Sequence, residues 1–222
     1  MAKQNLHVLF IFGPHRGIKN ADKSITFLEK FKPNIYAPEF SALDGVSRQQ
    51  VERHLLDYVE KAHSPDSRMK EYFKRQIAWA QKRGIPIKIL EDRLNNEDID
   101  NTLKFGAKNY PVLKTFYDID NNNMRREEKL NIFTQVGYWL PGFDKLASFM
   151  SSIREQKIIH NLLSGQFVEE LAENGYDFKG LKKLKVALTM GAGHEPMYDN
   201  FIKQNSAYFK KIDASKIIFN SE

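Results

Sequence analysis

The sequence predicts an α/β fold with a mostly parallel central sheet, flanking helices and a helical excursion before the last long strand. Three observations carry this. Apolar runs of strand length recur at residues 7–12, 34–37, 86–90 and 185–190. The stretches between them place apolar residues three and four apart, the period of an amphipathic helix. Strands that alternate with helices form parallel sheets, because a parallel pair needs a long crossover.

In chain order, residues 7–12 form the first strand and run into Gly13-Pro14-His15-Arg16-Gly17. Ala21, Ile25, Leu28 and Phe31 mark the first helix, and residues 34–37 the second strand, followed by Pro38-Glu39-Phe40. Ser47 and Gln50 read as a capping box ahead of a helix bearing Val51, Leu55, Tyr58, Val59 and Ala62. Ser64-Pro65 opens another, with Met69, Phe73, Ile77 and Ala80 on its apolar face and Gly84 at its end. Residues 86–90 form the third strand, with Glu91-Asp92-Arg93 directly behind.

Residues from about 95 to 180 read as a helical subregion, punctuated at Asn121-Asn122-Asn123 and Pro141-Gly142. Asp144 begins a long helix carrying Leu146, Phe149, Met150, Ile153, Ile158, Ile159 and Leu162. Residues 185–190 form the fourth strand and end in Gly191-Ala192-Gly193-His194. Residues 216–219 read as a terminal edge strand. The expected organisation is a single domain over residues 1–222.

Composition narrows the classes. With 41% hydrophobic and 28% charged residues in a chain of 222, a folded globular domain is expected. The cysteine count is 0, which excludes disulfides, thiolate metal sites and cysteine nucleophiles. No apolar run approaches the roughly 20 residues of a membrane helix. The run behind Lys3 meets Gly13-Pro14-His15-Arg16 rather than a small-residue cleavage site, so a cytoplasmic location with no membrane partner is expected. Lys and Arg total 34 against 28 Asp and Glu, a net charge of +6. That balance permits nucleic acid but does not indicate it, since bases and acids are mixed, as in Arg125-Arg126-Glu127-Glu128-Lys129.

Ligands of open α/β sheets bind beyond the carboxyl ends of the strands. Here those positions carry His15, Glu39, Asp92 with Arg93, and His194. Either His alone reads as a loop residue; the matched pair behind the first and fourth strands points to a site. Other motifs fall away. Tyr198 stands where a zincin's second His belongs, and the first glycine motif lacks the Lys-Ser or Lys-Thr of a P-loop.

These residues resemble the TraB/Tiki-like superfamily, which includes TraB proteins, Tiki proteases, GumN-like proteins, erythromycin esterases and ChaN-like haem-iron proteins. Gly191-Ala192-Gly193-His194 is similar to the family's second Gly-x-x-His motif. The first is Phe12-Gly13-Pro14-His15, with its glycine one place late. The segment ending in Pro38-Glu39 resembles the one that carries the family glutamate. Asp92-Arg93 with Asn101-Thr102-Leu103-Lys104 is similar to the TraB "DR…TL.R" segment, with Lys104 or Phe105 where Arg is usual. Arg154-Glu155 resembles the helix before the last motif.

The resemblance implies a hydrolase of peptide or ester bonds acting on a small-molecule or peptide substrate. Two imidazoles and a carboxylate, His15, Glu39 and His194, are a donor set for a divalent metal (Mn, Co or Zn) that would acidify water. A metal-free route is equally coherent: His15 takes the proton, Glu39 orients the ring, and Arg93 or Arg154 holds the developing oxyanion. Asp92 and Glu39 are the carboxylates available to pair with Arg154. Two readings outside hydrolysis stay open: a haem- or metal-binding protein of ChaN-like type, and a basic binding module with a vestigial site. All versions expect His15, Glu39 and His194 to converge.

Overall fold

The computed structural model describes residues 4–40, 48–62, 67–92, 94–118 and 124–220. Among them, β1 (Asn5–Phe12), β2 (Ile35–Pro38), β3 (Lys183–Met190) and β4 (Lys211–Ile218) make an all-parallel sheet in the order β2-β3-β1-β4. The chain divides into two compact units, one of Met1–Asp92 with Lys157–Glu222, the other of Arg93–Gln156.

The sheet belongs to the first unit. Its central strands β1 and β3 share one burial pattern: intermediate, buried, intermediate, then five buried residues. Strands covered on both faces need such continuous apolar runs. Alternation then sorts their side chains. Val8, Phe10 and Phe12 join Val186, Leu188 and Met190 on one face. There they meet Ile158, Ile159 and Leu162 of α8 (Asp144–Ser164), Phe167 of α9 (Gln166–Glu173) and Phe201 of α10 (Pro196–Lys203). Leu9, Ile11 and Ala187 take the other face, with Leu28 of α1 (Gly17–Phe31) and Trp79 and Ala80 of α4 (Ser67–Lys82). Each Val, Leu, Ile, Phe or Met side chain so buried contributes about 1.5–3 kcal/mol. The strands at residues 7–12 and 185–190 pair directly, Phe12 opposite Met190.

Three expectations are corrected. Residues 86–90 do not form a sheet strand; Tyr36 and Ile87 make an isolated parallel bridge, with Lys88 N–H donating to the Tyr36 carbonyl. The ladder stops at Pro38, which has no N–H to offer the Lys88 carbonyl, while Ile89 N–H, on the side away from β2, bonds Glu52 Oε1 at 2.8 Å. Lys88 is 1% exposed, and its ammonium lies 2.9 Å from Glu52 and 2.5 Å from Glu170. The last strand is longer than residues 216–219 and spans eight residues at the sheet edge. Its charged residues, Lys211, Asp213 and Lys216, interrupt the apolar pattern, as suits an edge open to water. The helix expected over Val51 to Ala62 is α2 (Arg48–Arg53) and α3 (Leu55–Ala62), broken at His54. Ser47, Ser64-Pro65 and Asn121-Asn122-Asn123 lie outside the described residues.

The second unit is helical: α5 (Asn96–Asn109), α6 (Pro111–Asp118), α7 (Arg126–Gly137) and the first part of α8. Its core gathers Ile99, Leu103, Leu113, Phe133 and Leu146. Asn95 caps α5 in a capping box with Asp98. Among the described residues, no helix is long and apolar enough to cross a membrane.

Candidate functional site

Strand register builds the site. Phe12 is opposite Met190, and Pro38 opposite Thr189, so the chain leaves β1, β2 and β3 at one level. The ladder continues one step into the loops: Gly13 N–H donates to the Met190 carbonyl at 3.0 Å, and Glu39 N–H to the Thr189 carbonyl at 2.9 Å. Gly13 has a steric reason to be glycine, since a Cβ there would sit 2.4 Å from the Phe219 ring.

Three of the predicted residues converge on this edge. His194 Nε2 lies 3.0 Å from Glu39 Oε1, within hydrogen-bond range. His15 Nδ1 stands 3.8 Å from Oε2, close enough to feel its charge. Gly191 N–H donates to Oε2 at 2.6 Å. The Glu39 side chain is 15% exposed, those of His15 and His194 10% and 13%. Burial by itself raises the Glu39 carboxyl. The His194 hydrogen bond, the two imidazole charges and the Gly191 N–H outweigh it and bring the pKa from 4.5 down to about 2.

A carboxyl depressed on folding stabilises the fold above its ordinary pKa, and that stability is lost as pH falls through the folded value. While both imidazoles are protonated, Glu39 contributes roughly 3 kcal/mol on this arithmetic. Wild type is therefore expected to lose stability steeply between about pH 4.5 and 2. Glu39→Gln should flatten that stretch of a denaturation-against-pH curve; an unchanged slope contradicts the arrangement.

A polar layer that the sequence did not disclose lies beside the triad. His15 stacks on Tyr72, centroids 4.9 Å apart at 26°, and meets Phe73 edge-on at 5.3 Å. The Tyr72 hydroxyl pairs with buried Ser24 at 3.1 Å. Tyr36 donates to Gln76 Oε1 at 2.5 Å and pairs with Thr189 at 2.8 Å. Burial pushes Tyr72 up to about 12 and Tyr36 well above its ordinary value, so both remain neutral hydrogen-bonding phenols. The available signal was the α4 spacing, where Tyr72 and Gln76 sit four apart beside Phe73 and Ile77. Tyr72→Phe keeps the ring against His15 but leaves Ser24 without this hydroxyl, at a cost of about 1–3 kcal/mol. Urea denaturation should show that loss, and a variant as stable as wild type would refute it.

The other predicted residues are placed differently. Asp92 is half-buried and accepts a 2.6 Å hydrogen bond from Asn161 Nδ2, which also donates to the Leu90 carbonyl at 2.8 Å. That carboxylate ties the segment behind residue 90 to α8. Arg93 lies outside the described residues. Arg154 is half-buried on α8, in the second unit.

The donor types of His15, Glu39 and His194 suit a divalent ion; as placed, Glu39 bonds His194 and Gly191, with His15 at 3.8 Å. His194 Nε2 is engaged with Oε1, and Gly191 holds Oε2. Among the described residues, no group of three His, Asp or Glu side chains is arranged to hold a metal ion. The geometry is that of a hydrogen-bonded His194–Glu39 pair with the His15 imidazole beside it. Glu39 holds the His194 ring through Nε2. Comparison of the chain with protein-family models, with curated proteins and with solved structures finds no match.

Proposed function

We propose that the protein is a hydrolase of ester or peptide bonds, working through His15, Glu39 and His194 at the carboxyl edge of the sheet. One observation carries the reading: a buried, ionised carboxylate lies between two imidazoles at the end of a parallel sheet where ligands bind. Oriented by Glu39, His194 accepts the proton of an attacking water, and the carboxylate stabilises the imidazolium that forms. His15, held against Tyr72, is placed to protonate the leaving group. This exchanges the role that the sequence gave His15, because Glu39 stands closer to His194.

An arginine is the natural partner for the developing oxyanion. The TraB/Tiki-like resemblance implies an arginine for that task.

The experiment is a panel of chromogenic esters and peptide amides, run with and without a chelator, beside metal analysis and an absorption scan. Saturable hydrolysis that survives the chelator is expected. Hydrolysis lost with chelator and restored by Mn, Co or Zn would return the triad to the role of ligands. A Soret band would assign haem binding, and no turnover of any substrate would overturn the hydrolase reading.

A further inference from the structure

At the opposite end of the same strands lies a cavity of about 690 Å³. It opens where the chain enters β1, β3 and β4, and residues of α9 and the α9–β3 loop line it too. At about 3.3 Å per residue, the eight-residue strands place it more than 20 Å from the His-Glu-His edge. Its size falls within the usual span of small-molecule pockets.

The walls are aromatic. Tyr176 and Phe178 stand parallel, centroids 6.5 Å apart at 8°, with Tyr208 also lining the cavity. The loop bearing the first two is framed by Gly175 and Gly180, at φ +90° and +85°, a backbone that residues with a Cβ rarely adopt. The rim is basic. Lys179, Lys182 and Lys210 line the opening, and among the described residues none has a recorded ion-pair partner. The one acidic lining residue, Asp177, accepts the Lys179 backbone N–H at 2.7 Å. The Gln4 amide donates to the Phe178 carbonyl at 2.9 Å, which leaves its buried Oε1 without a donor among the described residues.

A flat aromatic body against the Tyr176 and Tyr208 rings and an anionic group for three ammoniums describe one class of ligand. We propose that this cavity binds a mononucleotide, its base against Tyr176 and Tyr208 and its phosphates at Lys179, Lys182 and Lys210. Stacking on aromatic rings beside phosphate-binding lysines is how proteins hold nucleotides without reading sequence. The proposal is independent of the hydrolytic reading, since it shares no residue with that site.

Calorimetric titration with ATP, adenosine and tripolyphosphate tests it. ATP is expected to bind saturably, at least about tenfold more tightly than adenosine or tripolyphosphate, because only ATP engages both walls and rim. Exchange of both lysines in the Lys182→Glu, Lys210→Glu double variant should weaken ATP by about tenfold or more, and Tyr176→Ala by severalfold. These side chains are exposed, so thermal melting should confirm that the variants fold. His194→Ala should leave ATP affinity unchanged. No saturable ATP binding up to about 5 mM, or binding indifferent to the charge reversal, overturns the proposal.

Discussion

Lys88→Met is expected to destabilise the protein by about 3–5 kcal/mol, the largest loss of stability from a single substitution in the sheet unit. The lysine is 1% exposed and lies between Glu52 and Glu170 at 2.9 and 2.5 Å. Removing the ammonium leaves two largely buried carboxylates facing each other with no cation between them. The damage is local at first, since Glu52 also accepts the Ile89 N–H that holds the bridge segment beside β2. Adding Glu52→Gln and Glu170→Gln to Lys88→Met should restore part of the loss, because neutral amides remove the repulsion. Urea denaturation of the single and triple variants measures this. A Lys88→Met protein as stable as wild type would show that the cluster is not a clamp.

The largest effect on activity is expected at Glu39 and His194. Glu39→Gln keeps the shape of the side chain but removes the charge that fixes and stabilises the His194 ring. His194→Ala removes the base itself. On the hydrolytic reading each should lower kcat by about 10²–10⁴-fold, the range that general acid–base groups supply. His15→Ala should cost less for substrates whose leaving group needs no proton, such as nitrophenyl esters. With alkyl esters or amides its loss should approach that of His194→Ala. Turnover measured on both substrate kinds checks this; equal losses on the two would remove His15 from the role of acid.

Some parts of this molecule are written locally and others are not. β1 and β3 are legible because a strand covered on both faces must be apolar at nearly every position, and few other elements of that length are. Residues 86–90 share that composition and still fail to form a strand. Their pairing ends at Pro38 on β2, which has no N–H, and the pattern of residues 86–90 alone does not reveal which β2 residue they would face. β4 errs the other way: its charged edge residues conceal a full eight-residue strand.

Within the site, His15, Glu39 and His194 could be read because each lies in the loop behind a strand, and parallel register brings such loops together. The Tyr36–Gln76–Thr189 contacts could not, since they join residues 40 and 153 positions apart inside regular elements. Asp92 shared the strand-end logic without a true strand before it, and its carboxylate accepts a hydrogen bond from Asn161. α8 explains the difficulty with Arg154. Leu146 serves the core of the helical unit, while Ile158, Ile159 and Leu162 serve the sheet. A helix whose two ends serve different cores gives no single periodicity from which to place a residue between them.

The central claim is that Glu39 and His194 act as one unit on a bond-breaking step. A double-mutant cycle tests it, with kcat for an ester substrate measured in wild type, Glu39→Gln, His194→Ala and the double variant. Groups that act together lose their effect together, so the double variant should be no slower than the worse single variant, within about threefold. Losses that multiply, or single variants as fast as wild type, would contradict the account.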